Sequence, residues 1–339
     1  MVKLKDIAEK MGVSVGTVSK ALRHSHEISI EMTDDIIRCA NELGYIPNSS
    51  ARNLKTNKSY NIGVIFVDKT RAGLGHDYFS IMLNSIRDEL TLSGYDFTFI
   101  THMIGESNIS YLNHARYRRC DGVIVVTADF NDPEIVEIVK SEIPVVTIDH
   151  IFNNRTAILS DNEDGLGTIV NHLYELGHRK IAFIHGEDTT VTSQRLASFY
   201  NKCDELKIEV DKKYIKEALY HFPKQAGLMT RELLELEDRP TVIIYPDDYS
   251  YMGGATEIEK HNLRIPEDIS VVGYDGIFLS RILRPVLTSY KQNSVEIGKV
   301  AVQKLLEQIK QPKSFVKKSV LIRGCLQVGQ TVKDLNKQK

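Results

Sequence analysis

One side of a short helical segment near the start of the chain carries the chemistry needed to read DNA. On a helical wheel of residues 15–23, Gly16, Ser19, Lys20 and Arg23 fall together with Val15 at their border. Thr17, Val18, Ala21 and Leu22 make the opposite, mostly apolar side. The first face is small, polar and basic. Small residues permit close approach to a major groove, hydroxyls meet phosphate oxygens, and a cation reaches guanine acceptors. Ser14 stands just ahead, where its hydroxyl can accept from the free amides that open the segment.

Patterns for other chemistries are weak. Gly73-Leu74-Gly75 follows a strand-like run, but the third glycine of a dinucleotide loop is replaced by Tyr78, and Gly165-x-Gly167 also lacks its third glycine. GxSxG, GxxxxGK[ST] and HExxH do not occur. His76, His102, His114, His150, His172 and His185 show no convergent metal spacing and read as mostly surface or loop residues. Asp161, Asp164, Asp247, Asp248 and Asp275 could form an acid pair, but nothing in their spacing argues for one. The expectation is therefore no catalytic residues, no cofactor and no metal site.

The elements that would position the reading face can be traced outward. Leu4, Ile7, Ala8 and Met11 recur at helical spacing and give a first helix, which a tight Gly12-Val13 turn joins to the second. Ser29 caps a third helix over residues 32–43, whose Ile36, Ile37, Cys39, Ala40 and Leu43 can cover the first two, and Gly44 closes it in a left-handed cap. Tyr45-Ile46-Pro47-Asn48 breaks the chain, and Asn48 can cap a short SSARNLKT helix carrying Ala51 and Leu54 on one face. So short a helix is marginal alone, so it reads as a hinge that orders only when supported.

From Asn61 onward the runs IGVIFV, DFTFI, GVIVV, PVVTID, KIAFI, TVIIY and SVVGY alternate with helical patterns. They are apolar on both faces, as strands of parallel sheets with crossover helices are. Gly94-Tyr95 and Gly177-His178 each end a helix and lead into a strand, hinting at two similar halves. One half runs from about 61 to 159 and the other from about 160 to 290. The chain then returns to the first through Ser294–Ile309 and ends in the second. Two such lobes make a cleft at the carboxyl ends of their strands, where a ligand would sit.

The 339-residue length suits two or three domains. Net charge is −2, with 43 Lys and Arg against 45 Asp and Glu. A polyanion partner must therefore be met by local placement of Lys3, Lys5, Lys20, Arg23, Arg52, Lys55 and Lys58. An apolar run of roughly 18 residues is absent and the N-terminal segment is charged, so a cytoplasmic protein without membrane partner is expected. Cys39, Cys120, Cys203 and Cys325 are scattered, as in a reduced protein without structural zinc.

The chain resembles the LacI/GalR family of bacterial transcription regulators through LKDIA, GVSxxTVS, ELGYIPN, ARxL and IGV in its first part. Further along the resemblance rests on Tyr78-Phe79, DNEDG, ELGHRKIAFI, QRLASF, VVGYD and PVLTSYKQ. It implies an all-α helix-turn-helix domain over 1–46, a hinge and linker over 47–60, and an α/β effector-binding and dimerisation domain over 61–339. That domain would be periplasmic-binding-protein-like, with two doubly wound parallel-sheet lobes, about 61–159 with 291–320 and about 160–290 with 321–330. It further implies base contacts from Val15, Gly16 and Lys20, phosphate contacts from Ser14, Thr17, Ser19 and Arg23, and minor-groove contacts from Asn48, Ala51 and Leu54. The effector would meet Tyr78, Phe79, Asp149, Arg195, Phe222, Asp247 and Asp275. Such a set suits a sugar: carboxylates accept from vicinal hydroxyls, Arg195 can donate two parallel bonds, and aromatic faces cover the apolar side of a ring.

By this resemblance the chain is a repressor that binds a near-palindromic operator as a homodimer, with a small-molecule effector controlling the hinge through the two lobes. In the DNA-binding part, three places depart from the family pattern. Lys20 replaces an arginine, Arg23 with His24 follows the recognition helix where an asparagine is customary, and Lys3 stands where a hydroxyl residue caps the first helix. Asp247 replaces a common asparagine, which shifts the set of acceptable ligands. A sugar-binding module without DNA function and a cytoplasmic α/β enzyme acting on a sugar are the alternatives. The first is opposed by the helix-turn-helix, and turnover of candidate sugars would test the second.

Overall fold

The computed structural model describes residues 2–46, 58–68 and 73–338. It divides into two compact units, Met1–Ser59 and Tyr60–Lys339. Among the described residues, no helix is long and apolar enough to cross a membrane.

In the first unit, α1 (Leu4–Met11), α2 (Val15–Ala21) and α3 (Ile30–Glu42) pack around Ile7, Ala8, Val18, Ala21, Ile36, Cys39 and Ala40. Each boundary has a local cause. Gly12 takes φ 65° and closes α1 in the left-handed region that a side chain disfavours. Ser14 Oγ accepts from Thr17 N at 3.0 Å and starts α2, while Ser29 Oγ accepts from Met32 N at 3.3 Å and starts α3. Because Ser29 caps its own third successor, α3 begins two residues before the expected start. At the head of α1 the hydroxyl cap is replaced from the other side, with Lys3 N donating to Asp6 Oδ2 at 2.8 Å.

The second unit alternates strands and helices. In chain order these are β1 (Asn61–Phe66), α4 (Asp77–Leu92), β2 (Asp96–Phe99), a small hairpin of β3 (Met103–Ile104) and β4 (Ser107–Asn108), α5 (Tyr111–Tyr117), β5 (Gly122–Thr127), α6 (Pro133–Lys140), β6 (Val145–Ile148) and β7 (Thr156–Ser160). There follow α7 (Asn162–Glu175), β8 (Ile181–His185), α8 (Thr190–Glu205), β9 (Ile215–Glu217), α9 (Pro223–Leu234), β10 (Val242–Ile244), α10 (Asp248–Lys260), β11 (Ser270–Asp275), α11 (Phe278–Ile282), β12 (Thr288–Lys291), α12 (Ser294–Lys310), β13 (Ser319–Ile322) and β14 (Cys325–Gln327).

Two six-stranded sheets result, ordered β13-β7-β6-β5-β1-β2 and β14-β12-β11-β10-β8-β9. Their pairings are parallel except that β14 joins β12 antiparallel at an edge. Alternation along β1 shows why the strands read as apolar throughout. Ile62 and Val64 face Met82, Ile86 and Leu90 of α4 with Ile297, Ala301 and Leu305 of α12, whereas Ile65 faces Leu112, Ala115, Ile135 and Ile138 of α5 and α6. The second sheet repeats the plan, with Phe183, Val242 and Val272 against α7 and α8 and Ala182, Ile243 and Val271 against α9 and α10. Both faces of each sheet are dry, and each fully buried aliphatic or aromatic side chain contributes about 1.5–3 kcal/mol.

The backbone passes between lobes three times, after β7, after β12 and after β13. Two of these passages are tied together: Asp161 N donates to Ile322 O at 3.0 Å, and Arg323 Nε lies 3.4 Å from Asp161 Oδ2. A third link comes from Gly324 N, which donates to Tyr290 Oη at 3.1 Å.

Candidate DNA-reading face and ligand cleft

On α2, burial of Val18 and Ala21 fixes the rotation of the helix. Val15 is left 45% exposed, with Gly16 and Arg23 also exposed and Thr17, Ser19 and Lys20 half-buried. Ser14 is exposed, and its Oγ also lies 2.9 Å from Thr17 Oγ1. The cations are engaged in the protein itself. Lys20 Nζ pairs with Glu27, while Arg23 Nε donates to Ser19 O at 2.7 Å and its Nη2 to Ser19 Oγ at 3.0 Å. The small, basic face deduced from the wheel is thus present, with Lys20 held against a carboxylate. Asn48, Ala51 and Leu54 lie outside the described residues.

In the second unit, the chemically active side chains gather where strands end at their carboxyl termini. Asp149 follows β6, Ser160 ends β7, Asp247 follows β10, Asp275 ends β11 and Gln292 follows β12. Asp149 takes φ 54° and Asp275 φ 96°, left-handed values uncommon for such residues. Asp149 Oδ1 accepts from Ser160 N at 2.6 Å, and its Oδ2 from Tyr78 Oη at 3.2 Å. Burial raises its pKa, against the pull of the Ser160 amide and Arg195.

Arg195, on α8, is 4% exposed. Its Nε donates to Asn162 Oδ1 and its Nη1 to Pro246 O, both at 2.9 Å, and the guanidinium lies 3.6 Å from the ring centre of Tyr274. Burial works against the charge, yet Tyr220, Tyr274, Asp275 and Asp149 together raise its pKa. It forms no ion pair with Asp149. Among the described residues, no hydrogen-bond acceptor is found for its Nη2.

Asp247 caps α10, accepting from Ser250 N at 2.8 Å through Oδ1, while Oδ2 accepts from His221 N at 2.9 Å. Burial opposes its charge, but His221 outweighs burial and brings its pKa to about 2. Ser250 Oγ also donates to Oδ2, at 2.7 Å, so the buried capping carboxylate is held by three donors. Asp275 instead accepts from Gln292 Nε2 at 2.6 Å and caps no helix. Burial raises its pKa despite His221 and Arg195. Phe79 packs its ring edge-on to Phe66 at 5.2 Å and Tyr78 at 5.1 Å, so it belongs both to the core and to the cleft wall.

Three placements differ from the sequence reading. Phe222 is 43% exposed at the start of α9, and its neighbour His221, at φ 55°, is the residue whose ring enters the cleft cluster. His76 is 1% exposed rather than superficial, because it ends the turn Gly73–Gly75 and is sandwiched between lobes. Its ring centre lies 3.8 Å from that of His221 and 4.7 Å from that of Tyr249. His114 and His178 are buried as well. Asn162, Tyr220 and Tyr274 lie against Arg195, and Gln292 against Asp275; their only mark in the sequence was a position near a strand end. Of the five aspartates considered as an acid pair, three do structural work: Asp161 caps α7, Asp164 accepts from Tyr290 Oη at 2.9 Å, and Asp248 accepts from Ile277 N and Ser289 Oγ.

A cavity of about 700 Å³ lies elsewhere, along α7 and α8, lined by Asp161, Glu163, Asp164, Lys202, Glu205 and Arg323 among others. His172 also lines it, whereas His76, His221 and Arg195 do not.

Residues 3–48 match the model of bacterial regulatory proteins, lacI family, and residues 170–332 that of a periplasmic binding protein-like domain. The ribose operon repressor of Haemophilus influenzae is 30% identical over 331 residues, covering 96% of this chain and 97% of the relative. The HTH-type transcriptional repressor PurR of Vibrio atlanticus is 30% identical over 316 residues, covering 91% and 92%. Among solved structures, the Lac repressor dimer bound to operator and the anti-inducer ONPF superposes with a TM-score of 0.84 at 26% identity, covering 98% of this chain and 99% of that one.

Proposed function

Because the chain belongs to the lacI family of bacterial regulatory proteins, we propose how its own residues carry out regulation of transcription. The protein is a DNA-binding regulator whose operator binding answers to a small-molecule effector. In our reading α2 enters a major groove with Val15, Gly16 and Lys20 toward base edges, and with Ser14, Thr17, Ser19 and Arg23 toward phosphates. The hinge reading of Asn48, Ala51 and Leu54 rests on sequence, and domain limits near 46 and 60 go with it. The working form is a repressor, a homodimer on a near-palindromic operator in the cytoplasm, without catalytic activity.

The effector is a sugar bound between the lobes by Tyr78, Phe79, Asp149, Arg195, Asp247 and Asp275, with His76, His221 and Tyr274 added to that list and Phe222 at its rim. One observation carries this reading: Arg195 is buried, with no acceptor for its Nη2 among the described residues, and lies with Asp149, Asp275, Tyr220 and Tyr274 near the strand ends of both lobes. That is the donor, acceptor and stacking inventory a polyol ring requires. Because the ligand touches both lobes, its binding energy can favour one lobe setting over another, which is what effector control demands.

A thermal-shift screen against mono- and disaccharides, phosphorylated sugars and nucleobases, repeated with Arg195→Ala, tests it. A sugar should stabilise the wild type and not the variant. Stabilisation confined to nucleobases would reassign the ligand, and equal stabilisation of both proteins would move the site.

A further inference from the structure

The cleft contains a buried group to which the described residues supply ring contacts but no hydrogen-bond partner. His76 is 1% exposed, and among the described residues neither of its ring nitrogens has a hydrogen-bond partner. Native interiors seldom leave such atoms unpaired, and each one calls for a water, an ion or a ligand. Its neighbours narrow that choice. One donor atom from each of His76, His221 and Asp275 lies within 4.8 Å of the others. We propose that these three side chains bind a divalent transition-metal ion of the zinc class, joining the first lobe to the second inside the ligand cleft.

The donor set suits such an ion. Two imidazoles and a carboxylate favour zinc, cobalt(II), nickel(II) or iron(II) over calcium and magnesium, which take oxygen donors.

Outer partners are in place too. Gln292 Nε2 donates to Asp275 Oδ1 at 2.6 Å and leaves the second oxygen for a metal. Asp247 Oδ1 lies 3.5 Å from His221 Nδ1, an arrangement in which a carboxylate orients a metal-bound imidazole.

Tetrahedral geometry with bonds of about 2 Å requires donors about 3.3 Å apart, so the set contracts on loading. The contraction has a direction. His76 is carried by the turn into α4 in the first lobe, while His221 and Asp275 belong to the second. Loading therefore draws the lobes together. Three protein donors leave one position for water or for a ligand oxygen. Metal binding stands independently of the effector reading, and only its consequence for operator binding rests on that reading.

The experiment uses the full chain, stripped with a chelator and titrated with Co²⁺ and Zn²⁺ alone. One ion per chain is expected, with visible Co²⁺ bands of nitrogen and oxygen donors and without the thiolate charge-transfer band that the exposed Cys325 would give. X-ray absorption on the Zn²⁺-loaded wild type should show two imidazoles and needs no variant. His76→Gln keeps hydrogen-bonding capacity but is a poor ligand, and should lose the site, while Asp247→Asn should weaken it about 10–100-fold. No stoichiometric binding by the wild type, a first shell without imidazole, or undiminished binding by folded His76→Gln each overturns the proposal. Operator titration with and without Zn²⁺ separates the two claims. Stoichiometric binding with unchanged operator affinity supports the metal site and overturns its regulatory consequence.

Discussion

The ring of His76, from the first lobe, lies 3.8 Å from the ring of His221, from the second, and is inclined to it by 56°. Both belong to turns that follow strand ends, so the distance between them reports the setting of one lobe against the other. Other contacts cross the same seam: Tyr249 Oη donates to Gly75 O at 3.4 Å, and Ile277 of the second lobe joins the apolar cluster of the first. A ligand that fits this seam must either replace these contacts or add to them, and in both cases it changes the balance between lobe settings.

Arg195→Ala should abolish the effector response and leave operator binding by the ligand-free protein unchanged. It also strips Asn162 Oδ1 and Pro246 O of a charged donor, so stability should fall by about 1–3 kcal/mol. Operator titrations with and without effector, beside a denaturant melt, measure both effects. Loss of DNA binding in the folded variant would contradict separate sites.

Lys20→Ala should relax preference at one operator base pair by about 1–3 kcal/mol. Glu27→Gln should do the opposite to overall affinity, since removing the carboxylate frees the Lys20 ammonium and lessens repulsion of phosphate. Folding stability should hardly change in either, because an exposed ion pair is worth only about 0–1 kcal/mol. Binding to an operator panel at several salt concentrations distinguishes base readout from a general electrostatic effect.

Gly165→Ala tests the packing behind Arg195. A Cβ at Gly165 would run into the hydroxyl of Tyr274 and crowd Tyr290, and Tyr274 is the ring on which Arg195 lies. Overpacking should cost about 1–3 kcal/mol. Effector affinity should fall in the same variant, as calorimetric titration would show; a stability loss with intact effector binding would mean that Tyr274 does not position the guanidinium.

Acid should weaken the fold through His178. Its ring is fully buried between Thr241 Oγ1 at 2.8 Å and Lys333 O at 3.1 Å, with His172 and Arg179 nearby. Burial lowers its pKa from 6.5 to about 4. Between those values the unfolded chain binds a proton that the folded chain refuses, so this contribution is complete above pH 6.5 and is lost as pH falls toward 4. It amounts to a few kcal/mol at most. Chemical denaturation across that window should show a slope that His178→Gln flattens, after allowance for His76, which acts in the same sense.

Leu54→Ala should reduce operator bending and affinity by a few kcal/mol at most, if its side chain wedges between base pairs. Equal bending by wild type and variant in a gel-phasing assay would remove the hinge assignment.

The sequence by itself determined what depends on neighbours along the chain. Gly12, Ser14, Ser29 and Gly44 mark helix ends through backbone conformation and side-chain caps, and the structure keeps those ends within two residues. Val18 and Ala21 set which side of α2 is buried because helical period alone decides it, and runs such as GVIVV announce two-sided burial by lacking polar alternation. Tertiary structure decided the rest of the cleft. Strand order in two sheets brings His76 beside His221, although no local period relates them. The left-handed φ of His221 turns that ring inward while Phe222, one residue on, stays partly in solvent. Even Asp247, legible as a helix cap, owes its depressed pKa to a histidine on another loop. Caps and periods are short-range facts written in residue type, whereas a ligand site is a meeting of distant strand ends, fixed only when both sheets have closed over their cores.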